Sequence, residues 1–334
     1  MTNLYQTYKQ TFDGQTMPFA FVDLDRLNAN IKATLTRAGA KMIRIASKSI
    51  RSRGILARIL AAHSRFQGIM CFTAAEAVWL SQHGFDHLLL GYPCWNEAQI
   101  RAICAEIRQG KNIVLMLDSL DHVNHLDRIA ASEAVMLPVC LDIDMSLDVP
   151  SLHFGVWRSS VASLADALLI YQAIERTKNI RLDGVMGYEA QIAGVGDNTP
   201  NQRAKNAMIR VLKQRSIMTV AQRRESVVLG LRASGADLRF VNGGGTGSLE
   251  STIREPWVTE VTVGSGFYAP SLFDHYHAFR YAPAAGFALE IVRQPKPNMY
   301  TCLGGGYIAS GSAGTEKLPT PYLPEGAELI SLEG

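Results

Sequence analysis

Short apolar runs alternate with amphipathic stretches along most of this chain. The apolar runs lie near residues 42–47, 68–72, 87–91, 113–117, 135–143, 180–187, 239–242 and 259–263. Between them, apolar positions recur with the period of a helix, most clearly over 52–63, 74–83, 160–177 and 201–232. Strands that alternate with helices pair in parallel, because each return needs a crossover. Eight such strands predict an α/β fold with a closed (β/α)8 TIM-type barrel rather than an open doubly wound sheet, since no GxGxxG follows the first strand.

Two segments fall outside this alternation. Residues 18–24 form an apolar strand ahead of it, and from about residue 283 the helical period stops. Stretches such as 286–293 and 299–303, interrupted by proline and glycine, are typical of antiparallel β-structure. We therefore expect a barrel over 26–282 and a smaller β-rich domain made by 1–25 and 283–334, which the first strand joins.

Composition narrows the classes of partner. A net charge of +3 over 334 residues leaves no basic tract, which disfavours nucleic acid. The amino terminus lacks an apolar signal segment, and no apolar run approaches the about 18 residues of a membrane span. Five scattered cysteines without a CxxC pair disfavour a disulfide framework and a zinc ribbon. We expect a cytoplasmic protein.

Candidate chemistry stands at the ends of three predicted strands. Lys48 ends the first barrel strand, Gly243-Gly244-Gly245-Thr246 follows the seventh, and Gly264-Ser265-Gly266 follows the eighth. Functional groups of such barrels collect where the strands end, and phosphates often bind in the loops after strands seven and eight. Closure places the first strand beside the eighth, so an amine meets a glycine-rich phosphate cradle. We expect that amine to be desolvated, and the pair is what pyridoxal phosphate bound as a Schiff base requires.

These segments resemble the fold-type III pyridoxal-phosphate enzymes, whose barrel is the alanine racemase amino-terminal domain. The closer resemblance is to the D-threonine aldolase and D-serine dehydratase-like branch. Residues 18–31 are similar to the start of that family, and 72–77 to its second strand turn. Arg44 and Lys48 match the Arg and Lys of that branch's Arg-Pro-His-x-Lys motif, and the two glycine-rich segments resemble its phosphate-binding ends. The resemblance covers about residues 18–320.

The resemblance implies roles for individual residues. Lys48 becomes the lysine of the internal aldimine. His153 stands where relatives often place an arginine near the cofactor ring, and Tyr188 ends the sixth strand beside that ring; a packed, structural side chain is the alternative for both. The expected catalytic residues are Lys48, Tyr188 and His153, and the expected cofactor-binding residues are Lys48, Arg44, His153, Tyr188, Gly244, Gly245, Thr246, Gly264, Ser265 and Tyr268.

This chain departs from the family pattern at several positions. Ile45 and Ala46 replace the Pro and His of the motif, and Thr262 stands where alanine racemase places an arginine against the pyridine nitrogen. The branch's metal-binding His with Cys or Asp has no counterpart before residue 334. The resemblance leaves a divalent metal open, yet we assign no metal ligand: either the metal is absent or the chain is shortened at its carboxyl terminus. A homodimer is an expectation of the resemblance.

Four functions use such a pocket. The leading hypothesis is a pyridoxal-phosphate enzyme that acts on a small D- or β-hydroxy amino acid by retro-aldol cleavage or β-elimination through Lys48. Racemisation begins in the same way but needs a second base. A non-catalytic protein that binds pyridoxal phosphate for its homeostasis is a further alternative. The last is a class I aldolase that acts on a sugar phosphate and needs no pyridoxal phosphate.

Overall fold

A computed structural model describes residues 4–150, 152–304 and 319–329 of the chain. The strands are β1 (Phe19–Val22), β2 (Met42–Ala46), β3 (Phe66–Cys71), β4 (Leu88–Pro93), β5 (Ile113–Leu117), β6 (Leu137–Ile143), β7 (Leu147–Val149), β8 (Leu152–Phe154), β9 (Ile180–Gly187), β10 (Phe240–Gly243), β11 (Glu260–Val263), β12 (Ala285–Ala288), β13 (Glu290–Lys296) and β14 (Met299–Leu303). The α-helices are α1 (Leu4–Thr11), α2 (Leu24–Arg37), α3 (Arg53–Ala62), α4 (Ala74–Gln82), α5 (Glu97–Arg108), α6 (Leu120–Glu133), α7 (Leu164–Glu175), α8 (Ala190–Ala193), α9 (Arg203–Ala233) and α10 (Leu249–Thr252). Short 3₁₀ turns occupy Ser47–Ser49, Ser265–Phe267 and Ser271–His275.

Eight parallel strands close into one barrel. Their order is β10-β11-β2-β3-β4-β5-β6-β9, with β9 hydrogen-bonded back to β10. The ring closes through β11 and β2, where Val263 is the partner of Ile45. The predicted (β/α)8 barrel is therefore confirmed, and the open sheet is wrong.

Burial and capping explain why these elements form. Every residue of β5 and of β6 is buried, as expected of parallel strands enclosed by helices. Hydroxyl or amide side chains cap the helices that return between strands, and each accepts a hydrogen bond from a backbone N–H of the first turn. Such caps begin α3, α4, α5, α6 and α7, at Ser52, Thr73, Asn96, Ser119 and Ser163.

The first strand lies outside the barrel. β1 pairs antiparallel with β12, from Phe19 opposite Ala288 to Val22 opposite Ala285. Aromatic contacts join it to α1 and the residue after that helix: the ring centres of Tyr8 and Phe12 lie 5.3 and 4.7 Å from that of Phe21. Strands β13 and β14 form a separate antiparallel hairpin. The two-domain boundary stays a prediction, and residues 1–3, 305–318 and 330–334 of the expected β-rich part lie outside the described residues.

A small hairpin between β6 and α7 was not predicted from the sequence. Strands β7 and β8 pair antiparallel, with Leu147 opposite Phe154 and Asp148 opposite His153. The hairpin follows the carboxyl end of β6, so it lies at the end of the barrel where Lys48 is also found.

Arg44 lies inside the barrel and is 2% exposed. Its Nε and Nη2 donate to the two carboxylate oxygens of Glu260 at 2.7 and 3.0 Å, and Nη1 donates to the carbonyl oxygen of His87 at 2.6 Å. Glu260 begins β11 and His87 precedes β4, so the guanidinium points to the amino-terminal ends of the strands. Lys48 lies beyond the opposite end. This disagrees with the expectation that Arg44 binds the cofactor, since the charge on Glu260 draws the side chain into the barrel.

Replacing Arg44 tests whether this pair holds the barrel. We expect Arg44→Met to lower the free energy of unfolding by about 3–5 kcal/mol, because the buried Glu260 carboxylate loses its counter-charge. Urea unfolding followed by circular dichroism measures the loss. Arg101→Met is the matched control, because Arg101 forms its ion pairs with Glu97 and Glu133 at the protein surface. An equal loss in both variants would contradict the assigned role.

Candidate active site at the carboxyl end of the barrel

Lys48 lies in a short turn directly after β2. The Ser47 hydroxyl anchors this turn by donating to the Met70 carbonyl oxygen at 3.0 Å. On the other side, the Tyr268 hydroxyl donates to the Ile50 carbonyl oxygen at 2.9 Å. The Lys48 side chain is exposed, and its Nζ donates to the Tyr92 hydroxyl at 3.1 Å. The expectation of a desolvated amine is therefore wrong: the amine is open to solvent at the mouth of the barrel.

A row of aromatic and cationic side chains crosses this mouth. Tyr92, at the end of β4, has its ring centre 5.4 Å from Lys48 Nζ. The Arg158 guanidinium lies 5.0 Å from the same ring centre and 5.9 Å from that of Tyr188. We call Lys48, Tyr92, Arg158 and Tyr188 the mouth row. It joins the ends of β2, β4 and β9, which the chain separates by up to 140 residues (188 − 48).

Arg158 is fixed by a buried carboxylate. Its Nε donates to Asp142 Oδ2 at 2.8 Å and its Nη2 to the Gly91 carbonyl oxygen at 2.6 Å. Burial raises the pKa of Asp142 to about 7, and the positive charge of Arg158 opposes that rise only in part. Within the described residues, Asp142 Oδ1 is buried and has no hydrogen-bond partner. Burial therefore disfavours the charged form of the carboxylate that holds Arg158.

Tyr188 follows β9 and lies against the glycine-rich loop after β10. A Cβ added at Gly245 would lie 3.0 Å from Tyr188 Cε2, so the two segments are in close contact. Burial raises the pKa of Tyr188 to about 12, and the neighbouring carboxylate of Glu189 adds to the rise. Tyr188 is consequently a neutral hydroxyl at physiological pH. The structure brings it to the mouth, at the position that the sequence predicts.

The two glycine-rich loops touch each other. The Gly266 N–H donates to Thr246 Oγ1 at 3.2 Å. A Cβ at Gly264 would lie 2.8 Å from Ser49 Oγ, so the second loop also lies against the Lys48 turn. The phosphate-binding candidates therefore lie together, against the turn that carries Lys48.

The backbone amides of these loops divide into two groups. The Gly244 N–H donates to Glu189 Oε2 at 3.2 Å, and the Gly245 N–H donates to Ser248 Oγ at 3.0 Å. The backbone amides of these two glycines are therefore already hydrogen-bonded inside the loop, which disagrees with their expected role as donors to an anion. Four other N–H groups have no acceptor within the described part of the chain: those of Thr246, Gly247, Gly264 and Ser265.

A buried carboxylate sets the position of the first loop. Glu189 is 1% exposed, and besides Gly244 its oxygens accept from Ser248 Oγ at 2.9 Å and from the Thr252 hydroxyl. Arg224, on α9 and fully buried, donates to Glu189 Oε2 at 3.0 Å. A buried carboxylate with this many donors is held in one place, and so is the loop that supplies them. The sequence offered no sign of this network apart from an acidic residue after a strand.

His153 and Tyr268 contact groups other than the Lys48 amine. His153 Nδ1 lies 2.7 Å from Asp148 Oδ1, and its ring stacks at 4.0 Å on that of Trp157. Its Nε2 is buried, with no hydrogen-bond partner among the residues described. Tyr268 uses its hydroxyl on Ile50, so it orients the Lys48 turn. Within the described part of the chain, no hydrogen bond or ring contact joins either side chain to the mouth row.

Sequence reasoning missed Tyr92, Arg158 and Asp142. Tyr92 and Asp142 lie within the last residues of β4 and β6, at the end of the barrel where function collects. That position was the available signal for both. Arg158 follows the unpredicted β7–β8 hairpin, so its distance from β6 in the sequence concealed it.

The donors present fit pyridoxal phosphate. Within the described residues, four N–H groups without an acceptor lie in two touching loops, and the second loop lies against the turn that carries the exposed Lys48. Thr262, at the position facing the pyridine nitrogen in the resemblance, is buried, and its hydroxyl exchanges hydrogen bonds with the Asn242 side chain.

Residues 4–150, 152–304 and 319–329 contain neither a metal-binding cluster nor a membrane-spanning helix. No cluster of three or more His, Cys, Asp or Glu side chains there is arranged to hold a metal ion. No helix in those segments combines the length and the apolar character that crossing a bilayer requires.

Comparison with known proteins identifies relatives. The model of the family described as "Alanine racemase, N-terminal domain" matches residues 22–269. The 3-hydroxy-D-aspartate aldolase of Paracoccus denitrificans (strain Pd 1222) is 22% identical over 261 residues, which cover 78% of this chain and 62% of that protein. This chain thus spans less than two thirds of that curated relative.

Solved structures share the fold. The D-threonine aldolase of Filomicrobium marinum superposes with a TM-score of 0.72 at 15% identity, over 84% of this chain and 70% of that one. The D-threo-3-hydroxyaspartate dehydratase of Delftia sp. HT23 does so with a TM-score of 0.68 at 20% identity, over 84% and 68%.

Gly247→Ala tests the packing of the first loop. Its Cβ would overlap the Ala193 carbonyl oxygen and lie 2.5 Å from Tyr276 Cε1, so we expect a loss of about 1–3 kcal/mol of stability. We also expect weaker retention of pyridoxal phosphate, because the neighbouring N–H groups shift. Thermal unfolding and equilibrium dialysis measure the two effects. Gly54→Ala, which places a methyl group in open space on α3, should instead stabilise by about 0.5–1 kcal/mol; similar behaviour of both variants would refute the described packing.

Proposed function

The chain belongs to the alanine racemase N-terminal-domain family, and from that premise we propose that it is a pyridoxal-phosphate enzyme acting on a small D- or β-hydroxy amino acid. One observation carries the proposal: at the carboxyl end of a closed barrel, the turn that carries the exposed Lys48 lies against a loop whose backbone amides have no acceptor among the described residues. An anion and an aldehyde on one small molecule would satisfy both groups together.

Each of these groups has a defined task in the proposal. Lys48 Nζ forms the covalent link to the cofactor's aldehyde carbon. The N–H groups of Thr246, Gly264 and Ser265 hold the phosphate. Pyridoxal phosphate, when bound, supplies a ring that delocalises the electron pair left on the substrate's α-carbon. Once its amine is free, Lys48 accepts or returns a proton at Nζ, and Tyr188 presents a neutral hydroxyl nearby.

The names of the relatives favour a lyase. They describe aldolases and a dehydratase that act on D-configured amino acids with a β-hydroxyl group. Retro-aldol cleavage and β-elimination both depend on an electron pair at the α-carbon, so one site geometry serves either reaction. We therefore propose one of these two reactions, with racemisation as the alternative. The homodimer and the cytoplasmic location stay predictions.

Covalent trapping tests the cofactor and its lysine. After incubation with pyridoxal phosphate and reduction with borohydride, we expect the pyridoxyl group on Lys48, mapped by mass spectrometry of peptides. Lys48→Ala should lose the label and keep the fold. The control is Lys178→Ala, which removes another exposed amine and should label as the parent does. Label that persists in Lys48→Ala would move the site elsewhere, and a protein that never takes up pyridoxal phosphate would favour a sugar-phosphate aldolase.

Product analysis tests the reaction. With D-threonine or D-threo-3-hydroxyaspartate, we expect glycine with an aldehyde from retro-aldol cleavage, or ammonia with a 2-oxo acid from elimination. Chiral chromatography of the remaining amino acid detects inversion in the same samples. Lys48→Ala should lose the activity, because the variant lacks the amine that binds the cofactor and accepts or returns the proton. Inversion of the amino acid without cleavage or elimination would indicate a racemase. A protein that takes up the label but turns over no substrate would indicate a non-catalytic pyridoxal-phosphate carrier.

A further inference from the structure

Tyr92 and Arg158 are the two members of the mouth row that the proposed function leaves without a role, and Tyr92 is the one that contacts the Lys48 amine. Its hydroxyl accepts the hydrogen bond that Lys48 Nζ donates, at 3.1 Å. That separation is within hydrogen-bonding range for nitrogen and oxygen, so a proton can pass between them without any movement of the backbone.

The ring of Tyr92 is held in place while its surface stays open. Phe72 contacts it edge to face, with ring centres 5.5 Å apart at 84°. Arg158 lies on the ring at 5.0 Å and is itself tied to Asp142. Tyr92 remains 39% exposed, so its oxygen can exchange protons with water as well as with Lys48.

The charges around Tyr92 favour its phenolate. Partial burial acts to raise the pKa of Tyr92, but the hydrogen bond and charge of Lys48, together with the charge of Arg158, prevail and lower it. Tyr188 is the other titratable group that faces it, and Tyr188 stays neutral. Burial raises the pKa of Tyr268 and Tyr276, whereas the pKa of Tyr92 is lowered.

We propose that Tyr92 is a catalytic residue of this site, whose hydroxyl exchanges a proton with the amine of Lys48. In one direction the O–H bond of Tyr92 breaks, a third N–H bond forms on Lys48, and the electron pair stays on the phenolate oxygen. In the other direction the ammonium returns that proton and frees the lone pair of Nζ for attack on a carbonyl carbon. The pair needs no other reactant, and the inference rests on the proposed function for the identity of that carbonyl.

Titration of the protein without cofactor is the first test. Tyr92→Phe keeps the ring contacts with Phe72 and Arg158 and removes only the hydroxyl. Phenolate absorbance should show one tyrosine that ionises below the usual value of about 10. We expect that step to vanish in Tyr92→Phe and to move to higher pH in Lys48→Met, which removes the cation. It should persist in Tyr300→Phe, the control at an exposed tyrosine on β14; its absence from the parent protein, or its survival in Tyr92→Phe, would overturn the proposal.

The rate of covalent attachment is the second test. At saturating pyridoxal phosphate, Tyr92→Phe should label Lys48 about 100-fold more slowly, the usual effect of losing a general acid or base. Its affinity for pyridoxal phosphate before attachment should stay unchanged, because the phosphate donors are intact. Labelling at the parental rate would refute the catalytic role.

The two tests separate this inference from the proposed function. Titration uses no cofactor, so it reports on the Lys48–Tyr92 pair even if pyridoxal phosphate never binds. Rapid labelling of Lys48 in Tyr92→Phe would remove Tyr92 and leave the cofactor assignment standing.

Discussion

Closure of the barrel between β11 and β2 is the constraint on which the whole site depends. Val263 pairs with Ile45 in parallel, so the segments that follow both residues emerge at the same end of the barrel. One is the turn with Lys48 and the other is the loop of Gly264 and Ser265. The absence of a side chain at Gly264 lets that loop lie on the Lys48 turn. An open sheet would leave these strands at opposite edges, and the amine and the anion donors would never meet.

Buried charge secures each end of this barrel in a different way. At the amino-terminal end, the guanidinium of Arg44 bonds β2 to Glu260 on β11 and to the backbone before β4. At the carboxyl end, Glu189 and Arg224 hold the glycine loop from below. Both pairs are expensive to desolvate, so they fix geometry more than they add stability. At the mouth, Asp142 holds Arg158 in the same way, whereas the exposed amine of Lys48 donates to the hydroxyl of Tyr92.

The sequence predicted what periodicity and strand ends can reveal. The eight strands, the amine of Lys48 and the two glycine loops all follow from patterns that are local in the chain. The direction of a side chain inside the barrel depends on residues that are distant in the sequence. Arg44 is close to Lys48 along the chain, yet the charge on Glu260 directs its guanidinium to the other end of the barrel. The prediction that Gly244 and Gly245 bind the phosphate fails for a similar reason, because their backbone amides donate to Glu189 and Ser248. Arg158 could not be predicted because a hairpin separates it from β6 in the sequence. Its hydrogen bond to Asp142 places it at the mouth of the barrel.

The two tyrosines of the mouth row show how one pocket separates acid from base. Tyr92 lies between two cations, which lower the pKa of its hydroxyl. Tyr188, at the other side of Arg158, is half-buried beside Glu189, and its pKa rises to about 12. Groups whose pKa values are pushed apart by their surroundings are the ones that divide proton acceptance and donation between them. The Arg158 guanidinium lies 5.0 and 5.9 Å from the two ring centres, but the exposed ring of Tyr92 contacts Lys48 whereas the half-buried ring of Tyr188 lies against the glycine loop. The proton exchange that we propose therefore falls on the side of the mouth that is open to water, and the neutral hydroxyl of Tyr188 lies on the side of the glycine loop.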